Sequence, residues 1–240
     1  MSVESVIVES SLLKGLDGFR HGYSTRVHGD MRNSSMRKAF SQKLGLDPLL
    51  LTKPRQTHSS DVSVVTQRPY GGAVRKVDGL VSKDLPLCVI GADCAQVLAI
   101  DPVGVIGVAH AGWKGTLGGI AKNLVHTMVG EGARIKDICV AIGPRIGLTC
   151  YPVSLERANL FRKRFGENSG VTQKIGDNWH IDLGLAILRE LQDAGIQKRH
   201  IDLLEYCTSC NNDRFFSFRK NYGKAKYGET AGMIGFWGYK

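Results

Sequence analysis

The chain has 240 residues, a net charge of +10 and a hydrophobic content of 42%. This length can bury a full core, and the composition excludes a disordered chain. No apolar run reaches the roughly 18–20 residues of a membrane span. Glu4 and Glu9 occupy the region where a secretory signal carries basic residues, so we expect a cytoplasmic protein. With six cysteines in this length, we expect reduced thiols and no disulfide scaffold.

The basic charge is compatible with three kinds of surface. The first is solvated and has no dedicated ligand, the second attracts an anionic or phosphate-bearing small molecule, and the third binds nucleic acid. Lysine and arginine are spread along the chain, without a zinc-finger or RNP-like pattern. We therefore expect small-molecule partners and no membrane partner, and nucleic acid is the weakest of the three interpretations.

Hydrophobic periodicity predicts the elements of the first part of the chain. Met36, Phe40 and Leu44 recur at four-residue spacing before Gly45, which is typical of an amphipathic helix with a glycine stop. The predicted elements are an edge strand at 3–8, a strand at 21–26, a helix at 34–44, a strand at 62–65 and a strand beginning at 78–81.

The centre of the chain, residues 87–116, holds three apolar runs at 87–90, 97–100 and 103–109. Each run is typical of a buried strand, and the Asp-Pro and Gly between the last two predict a hairpin. Two soft metal-binding side chains, Cys94 and His110, lie at the edges of these runs. We therefore predict that the functional site is here.

The rest of the chain continues the alternation of helices and strands. The predicted elements are a helix at 118–129, a strand at 138–142, helices at 154–165 and 182–194, and strands at 201–206, 215–219 and 231–237. No internal repeat, low-complexity tract or linker interrupts them. The pattern predicts one α/β domain over residues 1–240, with a mixed sheet between helical layers.

Three side chains suit a metal ion. His58, Cys94 and His110 each lie at the end of a predicted strand, where a sheet can bring distant residues to one edge. Two histidines and one cysteine make a tetrahedral zinc site with one open position, as catalytic zinc requires. Taken singly, each residue fits a structural role better than a metal site, with Cys94 as a core thiol and His110 as a hydrogen-bonded core histidine. A cysteine nucleophile at Cys94 with His110 as its base fits the same residue types.

Glycines and arginines around this stretch suit an anionic ligand. Gly112 and Gly115 let the backbone approach a ligand closely, and a helix starting at Gly118 would direct its N-terminus at an anion. Several arginines near strand ends or glycine turns are able to hold phosphate with two N–H groups, or to be ordinary surface charges; they are Arg26, Arg55, Arg145 and Arg219.

Arg26 and Arg219 are the two phosphate-binding candidates that we select. Arg26 ends the first strand block beside a glycine turn. In a strand at 215–219, alternation places Phe216 and Phe218 on one face and Ser217 with Arg219 on the other. If the phenylalanines are core, Arg219 faces the site.

The remaining cysteines are less informative. Cys207 and Cys210 form a C-x-x-C, which is found in redox pairs and in half zinc sites. Without a second such pair or a helix starting at Cys207, we interpret them as structural or incidental. Cys150 stays without an assignment.

Several short blocks resemble the signature of the YfiH family, also known as DUF152, multicopper polyphenol oxidase and peptidoglycan editing factor. They occur in the family's order and span about residues 22–219; the blocks are QTH at 56–58, DGLVS at 78–82, ADC at 92–94, HAGWKGT at 110–116, GPRIG and CYPV within 143–153, and CT with FFSFR within 207–219. Two positions depart from the usual pattern, namely Ala95 after ADC and Arg145 within GPRIG.

The resemblance implies a three-layer α/β/α fold shared with cysteine hydrolases and deamidases. It implies zinc on His58, Cys94 and His110, phosphorolysis of adenosine, inosine, guanosine and methylthioadenosine, and deamination of adenosine. The alternatives are a copper polyphenol oxidase, a cysteine hydrolase acting on peptidoglycan precursors, and a binding protein without activity. Multicopper chemistry needs many histidines, and this chain has seven and no H-x-H pair.

Overall fold

The structure is a computed structural model that describes residues 7–221 and 227–237. Polar side chains cap several of its helices: Asn33 accepts from the backbone of Ser35, and Asp182 from that of Leu185. The helices are α1 Ser11–Lys14, α2 Ser34–Lys43, α3 Trp113–Gly118, α4 Ile120–Gly130, α5 Leu155–Phe165 and α6 Leu183–Asp193. Within the described ranges, no helix is both long enough and apolar enough to cross a membrane.

The strands follow the apolar runs of the sequence closely in the centre of the chain. They are β1 Phe19–Tyr23, β2 Lys53–Arg55, β3 Val62–Val64, β4 Ala73–Arg75, β5 Gly79–Ser82, β6 Leu87–Gly91, β7 Ala95–Asp101, β8 Val105–Ala111, β9 Cys139–Ile142, β10 Pro152–Val153, β11 Thr172–Ile175, β12 Asn178–Ile181, β13 Ile201–Leu203 and β14 Thr230–Phe236. The predicted hairpin is the antiparallel pair β7 and β8.

The largest sheet has six strands in the order β13-β9-β7-β8-β5-β3. Its central strands pair antiparallel, whereas β13 joins β9 and β3 joins β5 in parallel. The sheet is therefore mixed, as predicted. A second sheet has three strands in the order β1-β14-β6, a small third sheet has the order β10-β12-β11, and β2 pairs with β4.

Both faces of the six-stranded sheet are buried. Neighbouring residues of one strand point to opposite faces, so they pack against different layers. Val97 packs with Leu124 of α4 and Leu191 of α6. Leu98, the next residue, packs with Leu87 and Ile234 of the second sheet. Helices thus cover one face of the large sheet, and the second sheet covers the other.

The second sheet is itself covered by α2 on its outer face, where Phe40 packs with Cys88 and Met233. The predicted α/β class is confirmed, with helices on both outer sides. The strand layer between them is double: residues predicted for one sheet are divided between two stacked sheets. Sequence periodicity cannot separate these arrangements, since a strand between two layers is apolar throughout in either case.

Some predicted elements differ from the structure. The strand predicted at 215–219 is wrong, because the chain turns there: Ser217 accepts hydrogen bonds from the backbone of Lys220 and Asn221. The strand predicted at 21–26 ends at Tyr23. The helix predicted at 118–129 is divided by Gly119, whose φ of 87° is left-handed. Residues 3–6 of the first predicted strand lie outside the described part.

Candidate metal centre and cavity

Strand register brings three side chains to one edge of the large sheet. Gly79 of β5 lies opposite Ala109 of β8, so Asp78 lies beside His110, whose backbone N–H donates to the Asp78 carbonyl at 2.8 Å. Gln96 of β7 lies opposite His110 on the other side, which places Cys94 next to it at the start of β7. Pairing of three strands therefore builds this part of the site.

The three predicted metal ligands meet at this edge. One ligand atom each of His58, Cys94 and His110 lies within 4.8 Å of the other two. The two imidazole rings meet edge to face, with centroids 4.9 Å apart. His110 is buried, Cys94 is half-buried and His58 is exposed, so the group is open on the His58 side.

Asp78 organises this group although it was not selected from the sequence. It is fully buried, and its carboxylate accepts the backbone N–H groups of Thr57, His58 and Ser59 at 2.7–3.0 Å. It also accepts from His110 Nδ1 at 2.9 Å. Burial opposes the negative charge, but these hydrogen bonds outweigh it and hold the pKa of Asp78 well below its usual range.

The bond from Nδ1 fixes the role of the other nitrogen of His110. A carboxylate only accepts, so Nδ1 carries a hydrogen, and Nε2 would present a lone pair to a metal once its own proton is displaced. A carboxylate on the far nitrogen is the usual support of a histidine ligand. The donor set and its support therefore fit a metal ion of the zinc type.

The loop carrying His58 is held on both sides. His58 has a φ of 62°, a left-handed conformation that is strained for a non-glycine residue. Gln56 exchanges two hydrogen bonds with the backbone of Ile90, at 2.7 and 3.0 Å. With Asp78 on the other side, these bonds hold the loop in this conformation.

The charge state of Cys94 is set by the two histidines. Burial alone would raise the pKa of its thiol, but the charge and hydrogen bond of His110 and the hydrogen bond of His58 lower it to about 7. The pKa of His110 is raised in turn, because Cys94 and Asp78 outweigh burial. The arrangement favours a thiolate, which is the form that binds metals and attacks electrophiles.

Asp93, the residue before Cys94, is a second left-handed position, with a φ of 81°. Its carboxylate accepts from the hydroxyl of Thr208 and from the backbone N–H of Arg219, each at 2.6 Å. Its carbonyl accepts from the backbone of Ile146 at 3.0 Å. Asp93 thus ties the cysteine of the centre to two distant loops.

The centre lies in the wall of a cavity of about 990 Å³. This is large for a small-molecule site. Its wall combines cations with aromatic rings and carries one half-buried carboxylate, Glu229, whose pKa is raised by burial. The cationic lining residues are Arg32, Lys53, Arg55, Arg157 and Arg219, and the aromatic ones are Trp113, Tyr151, Phe218 and Tyr227.

The structure separates the two arginines that the sequence selected. Arg219 lines the cavity, where it donates to the carbonyl of Pro152 at 2.9 Å and lies 5.2 Å over the ring of Tyr151. Arg26 is not among the described lining residues; its side chain donates to the carbonyl of Phe215 and stacks on Phe216. The pairing of Arg26 with Arg219 around one phosphate has no support in this geometry.

The strand argument that selected Arg219 was incorrect. It assumed a strand in which the phenylalanines are core, but Phe215 and Ser217 are buried and Phe218 is 41% exposed. Arg219 reaches the cavity because the turn and Asp93 position its backbone. Of the other two arginines, Arg55 lines the cavity, and Arg145 donates to the carbonyls of Gly143 and Leu204.

The two selected glycines are positions of close approach within the protein. A Cβ on Gly112 would lie 2.8 Å from Cys94 Sγ, and one on Gly115 would lie 2.9 Å from the carbonyl oxygen of Ser59. A side chain at either position would displace the cysteine or the His58 loop. These glycines therefore serve the geometry of the centre. The helix begins at Trp113, directly after Gly112, and contains Gly115.

Residues that sequence reasoning missed are mainly carboxylates and aromatic rings. Each aspartate carried a partial signal: Asp78 directly precedes the buried strand β5, and Asp93 directly precedes Cys94, a predicted ligand. Trp113, Tyr151 and Glu229 had no comparable signal, because they reach the cavity from three separate parts of the chain.

The chain combines a central mixed sheet with a histidine–cysteine centre and a cavity lined by cations and aromatic rings. This combination is typical of an α/β enzyme. The family described as "Multi-copper polyphenol oxidoreductase laccase" has a model that matches residues 25–237. The chain belongs to this family, the YfiH family.

Relatives and solved structures agree with this assignment. Adenosine deaminase RL5, from an unknown prokaryotic organism, is 35% identical and aligns over 91% of this chain and 90% of its own. Purine nucleoside phosphorylase YlmD of Geobacillus stearothermophilus is 35% identical over 76% of this chain and 70% of its own. The crystal structure of Bacillus licheniformis hypothetical protein YfiH has a TM-score of 0.82 at 29% identity, covering 91% of this chain and 93% of that one.

Proposed function

We propose that this protein is a zinc-dependent purine nucleoside phosphorylase that also deaminates adenosine. The observation that carries the proposal is the meeting of His58, Cys94 and His110 in the wall of a large cavity. The names of relatives as purine nucleoside phosphorylase and adenosine deaminase support the substrate class. Adenosine, inosine, guanosine and methylthioadenosine are the substrates to test.

Zinc would be held by His58, Cys94 and His110, with Asp78 supporting His110. Once bound there, a zinc ion supplies a Lewis acid that makes an oxygen nucleophile available at neutral pH. Copper is the alternative metal suggested by the family description. Among the described residues, one cluster contains histidine, whereas multicopper oxidation requires several histidine-rich sites.

Phosphate would be bound by the cations of the cavity. Arg219 and Arg55 line the same cavity as the three ligands, and Lys53 lies in the same wall. A guanidinium donates two parallel N–H groups to two phosphate oxygens, whereas a lysine provides a point charge. These side chains orient a phosphate oxygen toward the ribose carbon that it attacks.

The purine would lie between aromatic rings. Trp113 and Tyr151 line the cavity, and guanidinium groups already lie over both rings, that of Arg157 at 4.1 Å and that of Arg219 at 5.2 Å. A flat base makes the same kind of stacking contact. Burial raises the pKa of Glu229, so it holds its proton more firmly than an exposed glutamate, and we assign it to protonate the leaving base. Asp93, the other carboxylate of the wall, is already bonded to Thr208 and Arg219.

The two reactions differ in their nucleophile. In phosphorolysis a phosphate oxygen bonds to the ribose C1′, the bond from C1′ to the base nitrogen breaks, and the base leaves with a proton. In deamination the oxygen of water bonds to C6 of adenine and the amino group leaves as ammonia. Both need an oxygen nucleophile, bound purine and a proton donor, which one cavity can supply.

Product analysis with and without phosphate tests this proposal. With adenosine and phosphate, we expect adenine and ribose 1-phosphate together with inosine; in phosphate-free buffer, we expect inosine alone. The variants His58→Ala, Cys94→Ala and His110→Ala are expected to lose the zinc ion of this centre and both activities. Release of adenine at the same rate without phosphate would show hydrolysis and refute phosphorolysis.

A second candidate function rests on the line from Asp78 through His110 to Cys94. A lowered thiol pKa beside a histidine oriented by a carboxylate is the arrangement of a cysteine nucleophile with its base. A hydrolase acting on peptidoglycan precursors would use it without a metal. His58 separates the two functions, because zinc binding needs it and nucleophilic attack does not; hydrolysis retained by metal-free His58→Ala would favour the hydrolase.

A further inference from the structure

Three cysteine thiols from two distant loops form a second cluster. Cys207 and Cys210 belong to the C-x-x-C, and Cys150 approaches from the loop that follows β9. The three Sγ atoms lie within 4.8 Å of one another, and those of Cys150 and Cys210 are 3.3 Å apart. Cys150 and Cys207 are half-buried and Cys210 is exposed, so the cluster is accessible from solvent.

The backbone around Cys207 favours a negative sulfur. Its Sγ accepts the backbone N–H of Gly147 at 3.2 Å and that of Cys210 at 3.4 Å. Two amides directed at one sulfur are an arrangement suited to a metal thiolate, which must be deprotonated.

Gly147 and backbone hydrogen bonds let the loop after β9 and the loop of Cys207 lie close together. A Cβ on Gly147 would lie 3.2 Å from Cys207 Cβ and 3.3 Å from its Sγ, so this glycine leaves space for the cysteine. The backbones also pair directly, because Arg145 donates to Tyr206 and Thr208 donates to Arg145. The three thiols are therefore positioned by the fold and not by chance proximity of mobile side chains.

We propose that Cys150, Cys207 and Cys210 bind one thiophilic cation of the Zn²⁺ class, separately from the centre at His58. Three sulfurs around zinc, each at about 2.3 Å, would lie about 3.8 Å from one another, which the present separations approach with small rotations. The fourth position is open to water or to another ligand on the exposed side. Neutral thiols so close together cannot all ionise without a cation to compensate their charge.

This second ion would fasten two parts of the cavity wall. Tyr151, next to Cys150, lines the cavity, and Arg219 lies further along the segment that contains Cys207. Thr208, next to Cys207, donates to Asp93, which precedes Cys94. A cation on the three thiols would therefore hold both loops in place without taking part in the chemistry.

Zinc stoichiometry tests the proposal directly. The full chain is purified with reductant, loaded with Zn²⁺ alone and freed of weakly bound metal, and its zinc is measured by elemental analysis. We expect about two ions per chain in the unaltered protein and about one in Cys150→Ser/Cys210→Ser. His58→Ala/His110→Ala should also retain about one ion, at the other cluster. Cys139→Ala, which removes a thiol outside either group, is the matched control and should retain both ions.

Cobalt identifies the ligands independently of stoichiometry. Co²⁺ bound in His58→Ala/His110→Ala should show strong sulfur-to-cobalt charge-transfer absorption, and further loss of Cys210 should weaken that binding by at least about tenfold. Because Cys210 is exposed, Cys210→Ser separates loss of a ligand from loss of the fold, which circular dichroism monitors.

Two results would overturn the second site. One is a single zinc ion per chain in the unaltered protein that disappears in His58→Ala/His110→Ala and is unaffected by Cys150→Ser/Cys210→Ser. The other is a disulfide between Cys150 and Cys210, found by peptide mass analysis, with no metal uptake at these residues after its reduction. Either result leaves the proposed function at His58 unaffected.

Discussion

Asp78 carries a negative charge in a fully buried position, which is costly unless every oxygen is used. Backbone N–H groups and His110 satisfy it, and the same bonds position both histidines of the centre. Asp78→Asn exchanges one acceptor oxygen for an N–H₂ group that repels these donors. We expect zinc affinity to fall by about 10–100-fold, as for other carboxylates that support a histidine ligand.

Competition with a chelator measures this loss, and Asp177→Asn, at an exposed turn, is the matched control. Circular dichroism distinguishes a local effect from unfolding. Unchanged zinc affinity in a folded Asp78→Asn variant would show that His110 needs no carboxylate to bind the metal.

Arg219 offers a test of phosphate binding. Arg219→Lys keeps the charge but loses the planar pair of donors, so we expect the KM for phosphate to rise by the equivalent of about 1–3 kcal/mol. Zinc content should be unchanged, and deamination, which uses no phosphate, should suffer less. Steady-state kinetics of both reactions give the comparison.

Arg26→Lys is the control for this substitution, because Arg26 contacts Phe215 and Phe216 and not the described lining of the cavity. We expect its phosphate KM to stay near that of the unaltered protein. If Arg219→Lys impaired both reactions equally, Arg219 would position the nucleoside or support the loop.

At the residue scale, the sequence predicted the three candidate ligands, because histidine and cysteine at strand ends are chemically conspicuous. It did not predict the support of Asp78 or the role of Asp93. A carboxylate beside a strand looks the same in sequence whether it is solvated or buried. Only the pairing of β5 with β8 shows that Asp78 lies against His110.

At the scale of elements, the start of α4 is held by an unusual acid. Glu190 of α6 is 1% exposed; it accepts the backbone N–H of Ala121 at 3.1 Å and pairs with Arg164 at 3.1 Å. Burial is the largest influence and raises the pKa of Glu190 to about 7, although Arg164 and the N–H groups oppose it. The folded protein therefore holds this proton more tightly than the unfolded chain does.

This difference predicts a dependence of stability on pH. As pH rises from the usual glutamate pKa of 4.5 to about 7, the unfolded chain releases the proton first, so the free energy of unfolding declines. Glu190→Gln removes the decline. Between pH 5 and pH 8, the free energy of unfolding of the variant should rise relative to that of the unaltered protein by on the order of 2 kcal/mol.

Urea unfolding at both pH values measures the effect, with Glu156→Gln, on the exposed face of α5, as the control. If the free energies of unfolding of Glu190→Gln and of the unaltered protein differed by the same amount at both pH values, Glu190 would ionise normally in the folded protein.

Element prediction succeeded where periodicity reports burial of one side, as in α2 and α6. It failed at 215–219, where aromatic residues resemble a strand but Ser217 and Asn221 close a turn by local hydrogen bonds. It also missed the hairpin of β11 and β12, whose exposed polar residues leave no hydrophobic alternation. Local side-chain bonding and solvent exposure both escape a reading based on apolar spacing.

At the scale of the whole molecule, the loop of His58 is ordered by protein hydrogen bonds before any metal is considered. Removal of zinc is therefore expected to leave the secondary structure intact and to lower the melting temperature by ligand linkage alone. When free zinc is at 100 times its Kd, bound zinc adds about 2.7 kcal/mol to the free energy of unfolding, and chelation removes this contribution. Far-ultraviolet circular dichroism and calorimetry before and after chelation provide the measurement.

Chelation of Asp78→Asn under the same conditions shows whether the hydrogen bonds to Asp78 keep the His58 loop ordered when zinc is absent. That variant should lose order in the loop without zinc, whereas the unaltered protein should not; hydrogen exchange of residues 56–60 reports it. Exchange that becomes rapid in both proteins after chelation would mean that the metal orders the loop.

Distant parts of the chain meet in ways that no local pattern encodes. Cys150 and Cys210 are 60 positions apart and His58 and His110 are 52 apart, yet each pair shares a cluster. The sequence could therefore show half a metal site at Cys207 and Cys210, but not the third thiol that the loop after β9 provides.

Asp93 connects the two clusters, because it precedes Cys94 and accepts hydrogen bonds from Thr208 and Arg219. Thermodynamic reciprocity attaches a condition to this connection. If an ion on the three thiols changes the affinity for metal at His58, Cys94 and His110 by some factor, an ion at the latter must change affinity at the thiols by the same factor. Metal bound at the distant, exposed thiols would then change the metal affinity of the centre in the cavity. A thiol oxidant that reacts with Cys210 would change that affinity too, without reacting at the centre itself.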